Sequence, residues 1–84
     1  MRVIFTRHAE RKIKDLEALG IYIENSLIKK ILAQPIHLDI TSDHPKKIAS
    51  GEFDTTRILR IVYKEENGIM TVITFYPAKK GRYF

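Results

Sequence analysis

The sequence has no cysteine, which excludes disulfide frameworks, thiolate chemistry and zinc-finger patterns and makes a reducing cytosol the expected setting. No apolar run approaches the roughly 20 residues that span a bilayer. Arg7, His8, Glu10, Arg11 and Lys12 interrupt what would be the apolar segment of a signal peptide. The expectation is a soluble, cytoplasmic protein with no membrane partner. Glycine-rich phosphate loops, Gly-x-Ser-x-Gly turns, low-complexity tracts and internal repeats are also missing, so no nucleotide cofactor is implied. His8, His37 and His44 lack the His-x-x-x-His or carboxylate spacing of a metal site. The expectation for cofactors and metals is therefore none.

What is present is a single short domain over residues 1–84, large enough to fold alone around a thin core. Fifteen basic against ten acidic residues give a net charge of +5. That excess favours a polyanion or an acidic protein as partner.

The last third of the chain carries the strongest local signal. Asn67-Gly68 supplies the two positive φ angles of a type I′ turn, so the β-rich runs on either side should form a hairpin. Counting outward from Glu66 opposite Ile69 puts Tyr63 opposite Val72, Ile61 opposite Thr74, Arg60 opposite Phe75 and Leu59 opposite Tyr76. In that register Leu59, Ile61, Tyr63, Met70, Val72 and Tyr76 share a core face with Thr74. Ile58, Arg60, Val62, Lys64, Thr71, Ile73 and Phe75 share the other. A cation among apolar neighbours needs an anion or a hydrogen-bonding partner. Arg60 is thus either the centre of a working face or a side chain laid over Phe75 with its head in water.

Upstream, Arg2 to Phe5 reads as a short strand, and Thr6 is placed to cap a helix running from Arg7 to about Leu19, closed by Gly20. Its apolar residues Ala9, Ile13 and Leu16 recur at helical spacing, while His8, Arg11, Lys12 and Asp15 form a polar stripe. The stripe is either a solvated face with local ion pairs or a source of a proton carrier and a cation. A second amphipathic helix, roughly Ile23 to Ala33, buries Ile23, Leu27, Ile28, Ile31 and Leu32 and ends before Pro35. An αα-hairpin packed on a sheet accounts for the pair better than a DNA-reading helix-turn-helix, since Asn25, Lys29 and Gln34 form no compact row. Ile36 to Thr41 alternates as a strand with Ile36, Leu38 and Ile40 on one face. A turn at Ser42–Pro45, a short return strand from Lys46 to Ser50 and a loop then lead to the hairpin. The order predicts an α+β domain: an N-terminal strand and a two-helix hairpin packed on a small antiparallel sheet of three to four further strands, followed by a basic aromatic tail from about residue 78 to 84.

Several segments, taken in order, resemble a family of small prokaryotic domains of unknown function grouped with the RelE and ParE toxins and similar at its C-terminal end to BrnT. They are Phe5-Thr-Arg-His8-Ala9-Glu-Arg11-Lys12, Gly20-Ile21 before a helix ending Leu32-Ala-Gln-Pro35, Leu59-Arg60-Ile-Val62-Tyr63, and Val72-Ile73-Thr74-Phe75-Tyr76-Pro77 followed by Lys80-Gly-Arg82-Tyr83. The resemblance implies a RelE-like fold and, as in toxin members, metal-independent cleavage of messenger RNA by attack of the ribose 2′-hydroxyl. It implies Arg60 as the strand cation at the phosphate, Lys80 and Arg82 as tail cations, Tyr83 as a stacking or proton-transfer residue, and His8 as a proton carrier. Arg11, Lys12, Lys64 and Lys79 would hold the RNA backbone. The implied partners are RNA, including ribosome-bound messenger, and an acidic antitoxin protein, with a homodimer also compatible. The alternative is a non-catalytic module of the same shape that binds RNA or a protein through its basic face.

Overall fold

The computed structural model describes residues 2–82; Met1, Tyr83 and Phe84 lie outside the described residues. The elements are β1 (Arg2–Phe5), α1 (Arg7–Ala18), α2 (Asn25–Ala33), β2 (His37–Asp39), β3 (Lys47–Glu52), β4 (Arg57–Glu66) and β5 (Ile69–Lys79). The protein is therefore α+β, with two helices and one five-stranded sheet in the order β1-β5-β4-β3-β2. No helix is long and apolar enough to cross a membrane among the described residues.

The helices form where capping and periodicity place them. Thr6 caps α1, its hydroxyl accepting from the Ala9 N–H at 3.1 Å. At the other end Gly20 takes φ +82°. Its N–H reaches the Glu17 carbonyl and that of Ile21 reaches Leu16, both at 2.9 Å, which satisfies carbonyls that a helix end leaves open. Ile28, Ile31 and Leu32 are the buried stripe of α2. They join Ala9, Ile23, Ala49, Leu59, Ile61, Tyr63, Met70, Val72 and Phe75 in one core between the helices and one face of the sheet. The helix begins at Asn25, two residues later than Ile23, because Glu24 stands at the cap while Ile23 is buried ahead of it.

Three expectations require correction. The sheet is mixed rather than antiparallel, since β1 joins it and runs parallel to β5, pairing Arg2 to Phe5 with Ile69 to Val72. The edge of β5 not taken by its hairpin partner is open there, and Val3 and Phe5 pack on the core from that position. Second, β2 pairs only from His37 to Asp39, and Ile36, Leu38 and Ile40 are exposed rather than packed, because β2 is the last strand and neither helix covers it. Third, β5 continues to Lys79 with Ala78 opposite Ile58, so the residues expected to open the tail belong to the sheet.

The hairpin turn forms as its residues require, with Asn67 at φ 51° and Gly68 at φ 76°. Tyr63 pairs with Val72 as counted, but Val62 pairs with Thr74, leaving Ile73 as an extra residue on β5. This β-bulge shifts everything beyond it by one: Ile61 faces Phe75, Arg60 faces Tyr76 and Leu59 faces Pro77. Phe75 is thereby fully buried in the core and Tyr76 passes to the opposite face. Burying a phenyl ring contributes on the order of 1.5–3 kcal/mol. The ladder bond that a bulge gives up is worth about 0.5–1.5 kcal/mol. Placing Phe75 rather than Tyr76 in the core also avoids burying a phenol hydroxyl without a partner, a cost of about 1–3 kcal/mol that is comparable with the loss.

On the far side of the core, α2 lies so close to β3 that a Cβ on Gly51 would sit 2.5 Å from Cγ1 of Ile31. The Gly51→Ala protein is expected to be less stable by about 1–3 kcal/mol through overpacking. Thermal and urea unfolding measure this, and because Ile31→Ala removes the clashing Cγ1, the pairing of Gly51→Ala with Ile31→Ala should lose less than the sum of the two single losses.

Candidate functional site

The face of the sheet opposite the helices carries the polar groups. Register places His37, Ser50, Arg60 and Tyr76 in one row across β2, β3, β4 and β5. Arg60 is only 5% exposed, and its Nε donates to the Tyr76 hydroxyl at 3.0 Å. Its guanidinium carbon also lies 5.9 Å from the centre of the Tyr76 ring. The expected neighbour, Phe75, points the other way because of the bulge.

A second cation reaches the same ring from α1. Lys12 lies half-buried with Nζ 3.3 Å from the Thr74 hydroxyl and 5.8 Å from the Tyr76 ring centre. Two cations near one phenol favour electron density on its face and oxygen. Accepting from Arg60 leaves the Tyr76 hydroxyl proton available for donation to another group.

This junction is built by Thr6. Beyond capping α1, Thr6 donates its backbone N–H to the Val72 carbonyl at 3.0 Å and its hydroxyl to the Ile73 carbonyl at 3.1 Å. One residue thus ends β1, starts α1 and holds the bulge that presents Tyr76. The Ser50 hydroxyl, in the same row, is fully buried and has no hydrogen-bond partner among the described residues.

Of the residues singled out from sequence, Arg60 and Lys12 are brought together through Tyr76. Lys64 shares the Arg60 face but lies four residues along β4, about 13 Å away at strand rise. There it lines a recess of 280 Å³ at the hairpin tip with Ile4, Glu66, Asn67, Ile69 and Thr71. His8 and Arg11 are exposed on α1. Arg11 lines a shallow groove with Arg7, Glu10 and Lys14, away from the sheet row. Lys79 is exposed and pairs with Arg57, in step with Phe75 and Pro77 rather than with Tyr76. Lys80 follows the end of β5, its ammonium 3.2 Å from a Glu52 carboxylate oxygen in an exposed pair of small energetic weight. Arg82 is exposed beyond it, and Tyr83 lies outside the described residues.

Tyr76, Thr74 and Ser50 were not marked by sequence. The bulge carries no glycine, and Ile73, Phe75 and Tyr76 suit either face of a strand equally. Pro77 was the available signal. Lys80 donates its N–H to the Thr56 carbonyl at 2.9 Å, which sets the ladder so that Pro77 falls at a position whose nitrogen turns away from β4. Proline demands that geometry, and the turn-counted register of Leu59 with Tyr76 places it in the opposite phase.

Two carboxylates near the sheet ends are strongly acidic for structural reasons. The Arg57 side chain donates to Asp54 from Nε at 2.9 Å and from Nη2 at 2.7 Å, and the Thr56 and Arg57 N–H groups add to this. Together they hold the Asp54 carboxyl at about 2. Asp39, accepting from Ser42 and Thr41, is held well below the usual carboxylate range. Burial pushes the Tyr63 phenol up, and the Glu65 carboxylate raises Lys47. These groups fasten loops and strand ends.

The chain matches no family model, no curated protein and no solved structure.

Two outcomes follow. Removing the Thr6 hydroxyl in Thr6→Val should cost about 1–2 kcal/mol, as helix-cap losses do. It should also shift the amide resonances of Ile73 to Tyr76, whereas Thr6→Ser should do neither. Because the Asp54 and Asp39 carboxyls are depressed in the folded state, their stabilisation is complete above an unfolded value near 4 and is lost as pH falls towards 2. Denaturation midpoints should fall over that window, and Asp54→Asn should flatten the slope.

Proposed function

We propose that the protein is a RelE-like toxin that engages RNA at the Arg60–Tyr76–Lys12 cluster and cleaves it through attack of the ribose 2′-hydroxyl. The observation that carries this reading is the Tyr76 phenol, whose oxygen accepts from Arg60 at 3.0 Å while its ring lies 5.8 Å from Lys12 Nζ. Such a group suits a leaving oxygen that must gain a proton beside a phosphate that must be neutralised. In the reaction, the 2′-oxygen bonds to phosphorus as its proton passes to a base, and the bond to the 5′-oxygen breaks. Tyr76 gives its proton to that oxygen, leaving a 2′,3′-cyclic phosphate and a 5′-hydroxyl. Arg60 and Lys12 stabilise the charge gathering on the phosphoryl oxygens. His8, one helical turn before Lys12, is the candidate base. Lys64 farther along the same face, and Lys80 and Arg82 beyond the end of β5, would give more distant holds on the RNA backbone, while Arg11 and Lys79 face away from the cluster. A net charge of +5 also suits neutralisation by an acidic antitoxin.

A second reading is a non-catalytic module that binds RNA or a protein through the same face. The 5% exposure of Arg60 favours it, since a cation so enclosed contributes to architecture as well as to any ligand.

Inducible expression in a bacterial host, with growth and messenger RNA ends followed for wild type, Arg60→Ala and Tyr76→Phe, separates them. The toxin reading expects arrest with new RNA ends and a fall of about a hundredfold or more in cleavage for Tyr76→Phe, while RNA binding changes little. Folded wild-type protein that binds RNA without cutting it, on ribosomes as well as in isolation, assigns the module.

A further inference from the structure

The outer edge of the sheet at β2 differs from the rest of the surface. Ile36, Leu38 and Ile40 are 64%, 44% and 53% exposed and alternate along the chain, so they project on one side. That side is the helix side, since Leu38 pairs with Ala49 and Ala49 with Ile61, both in the core. β2 has β3 as a neighbour on one side only. Proteins commonly guard such an edge with lysine or a strand-blocking proline, and within β2 there is neither. Its carboxylate, Asp39, is turned back on its own loop, accepting from the Thr41 N–H at 3.0 Å and the Ser42 N–H at 2.9 Å.

Charge indicates the occupant. The protein carries 15 lysines and arginines, yet from Ile31 to Pro45 there is none, and that stretch contains Asp39 and Asp43. Within this stretch an RNA backbone or an acidic protein finds no lysine or arginine to hold, and the cation nearest its start, Lys30, shares a recess with Ile36 and the Glu52 carboxylate. Two copies of a chain of net charge +5 repel each other, and the repulsion is least where neither presents a cation. When a two-fold axis relates the copies a patch meets itself, and an apolar strip without a cation is its own complement.

We propose that β2 is a self-association edge. Two copies pair their β2 strands antiparallel about a two-fold axis, so that one sheet continues through both and Ile36, Leu38 and Ile40 close against the same residues of the second copy. The apolar strip is covered, and the sheet face that carries Arg60 lies outside the interface on each copy. This does not depend on what the Arg60 cluster does.

Sedimentation velocity on the full chain tests it, from about 10 µM to about 1 mM, a range suited to a small interface. The wild type is expected to dimerise with concentration, and more tightly as salt rises and screens the net charge. RNA binding has the opposite salt dependence. Leu38→Lys places like charges across the axis and should weaken the dimer by about a hundredfold or more, with an unchanged circular dichroism spectrum. Because the chain has no cysteine, Leu38→Cys should give a disulfide-linked dimer on mild oxidation, while Thr55→Cys, exposed at another end of the sheet, should not. A monomer at every concentration and salt would hand the edge to a different partner and overturn the proposal. So would a dimer indifferent to Leu38→Lys, or equal crosslinking through both cysteines.

Discussion

The hydrogen bonds of Thr6 set the arrangement on which the rest of the molecule depends. At this residue a strand ends, a helix begins, and the neighbouring strand takes in one extra residue, so three local structures share one fastening. The hydroxyl both gives and receives a hydrogen bond, which only serine or threonine does at a helix cap without adding bulk. Fixing the carbonyls of Val72 and Ile73 fixes the phase of β5 beyond them. The phase decides that a phenyl ring lies in the core and a phenol beside Arg60. Core composition and surface chemistry are thus two results of one backbone irregularity.

Much of this was legible in the residues. The caps Thr6 and Gly20, the turn at Asn67-Gly68 and the apolar stripes of both helices follow from local stereochemistry; the caps and the turn formed as the sequence specified, and the stripes face the core with Ile13, Leu16 and Leu27 only partly buried. The hairpin register was also legible from the turn as far as Tyr63 and Val72. It failed there because a bulge is decided by a contact from Thr6, far away in the chain, which no local count contains. The parallel pairing of β1 is hidden for the same reason, since it joins the two ends of the chain. For β2 the alternation was correct, yet alternation reports which residues share a side and not whether anything covers that side.

The basic residues are sorted by what the fold does with them. Arg57, Lys47 and Lys80 are engaged by carboxylates at 2.7, 3.1 and 3.2 Å, fastening strand ends and loops. Arg60 and Lys12 instead converge on an aromatic ring and hydroxyl groups. A formal charge count treats these alike, although the fold gives them different neighbours.

Pro77 has a consequence for the sheet as a whole. Beyond Phe5, β5 has no strand on its outer side among the described residues, and the nitrogen facing that side at Pro77 carries no hydrogen. A strand approaching there would find its hydrogen-bond ladder interrupted partway, whereas one approaching β2 would not. The sheet therefore has a closed end and an open end, and any growth of it is directional.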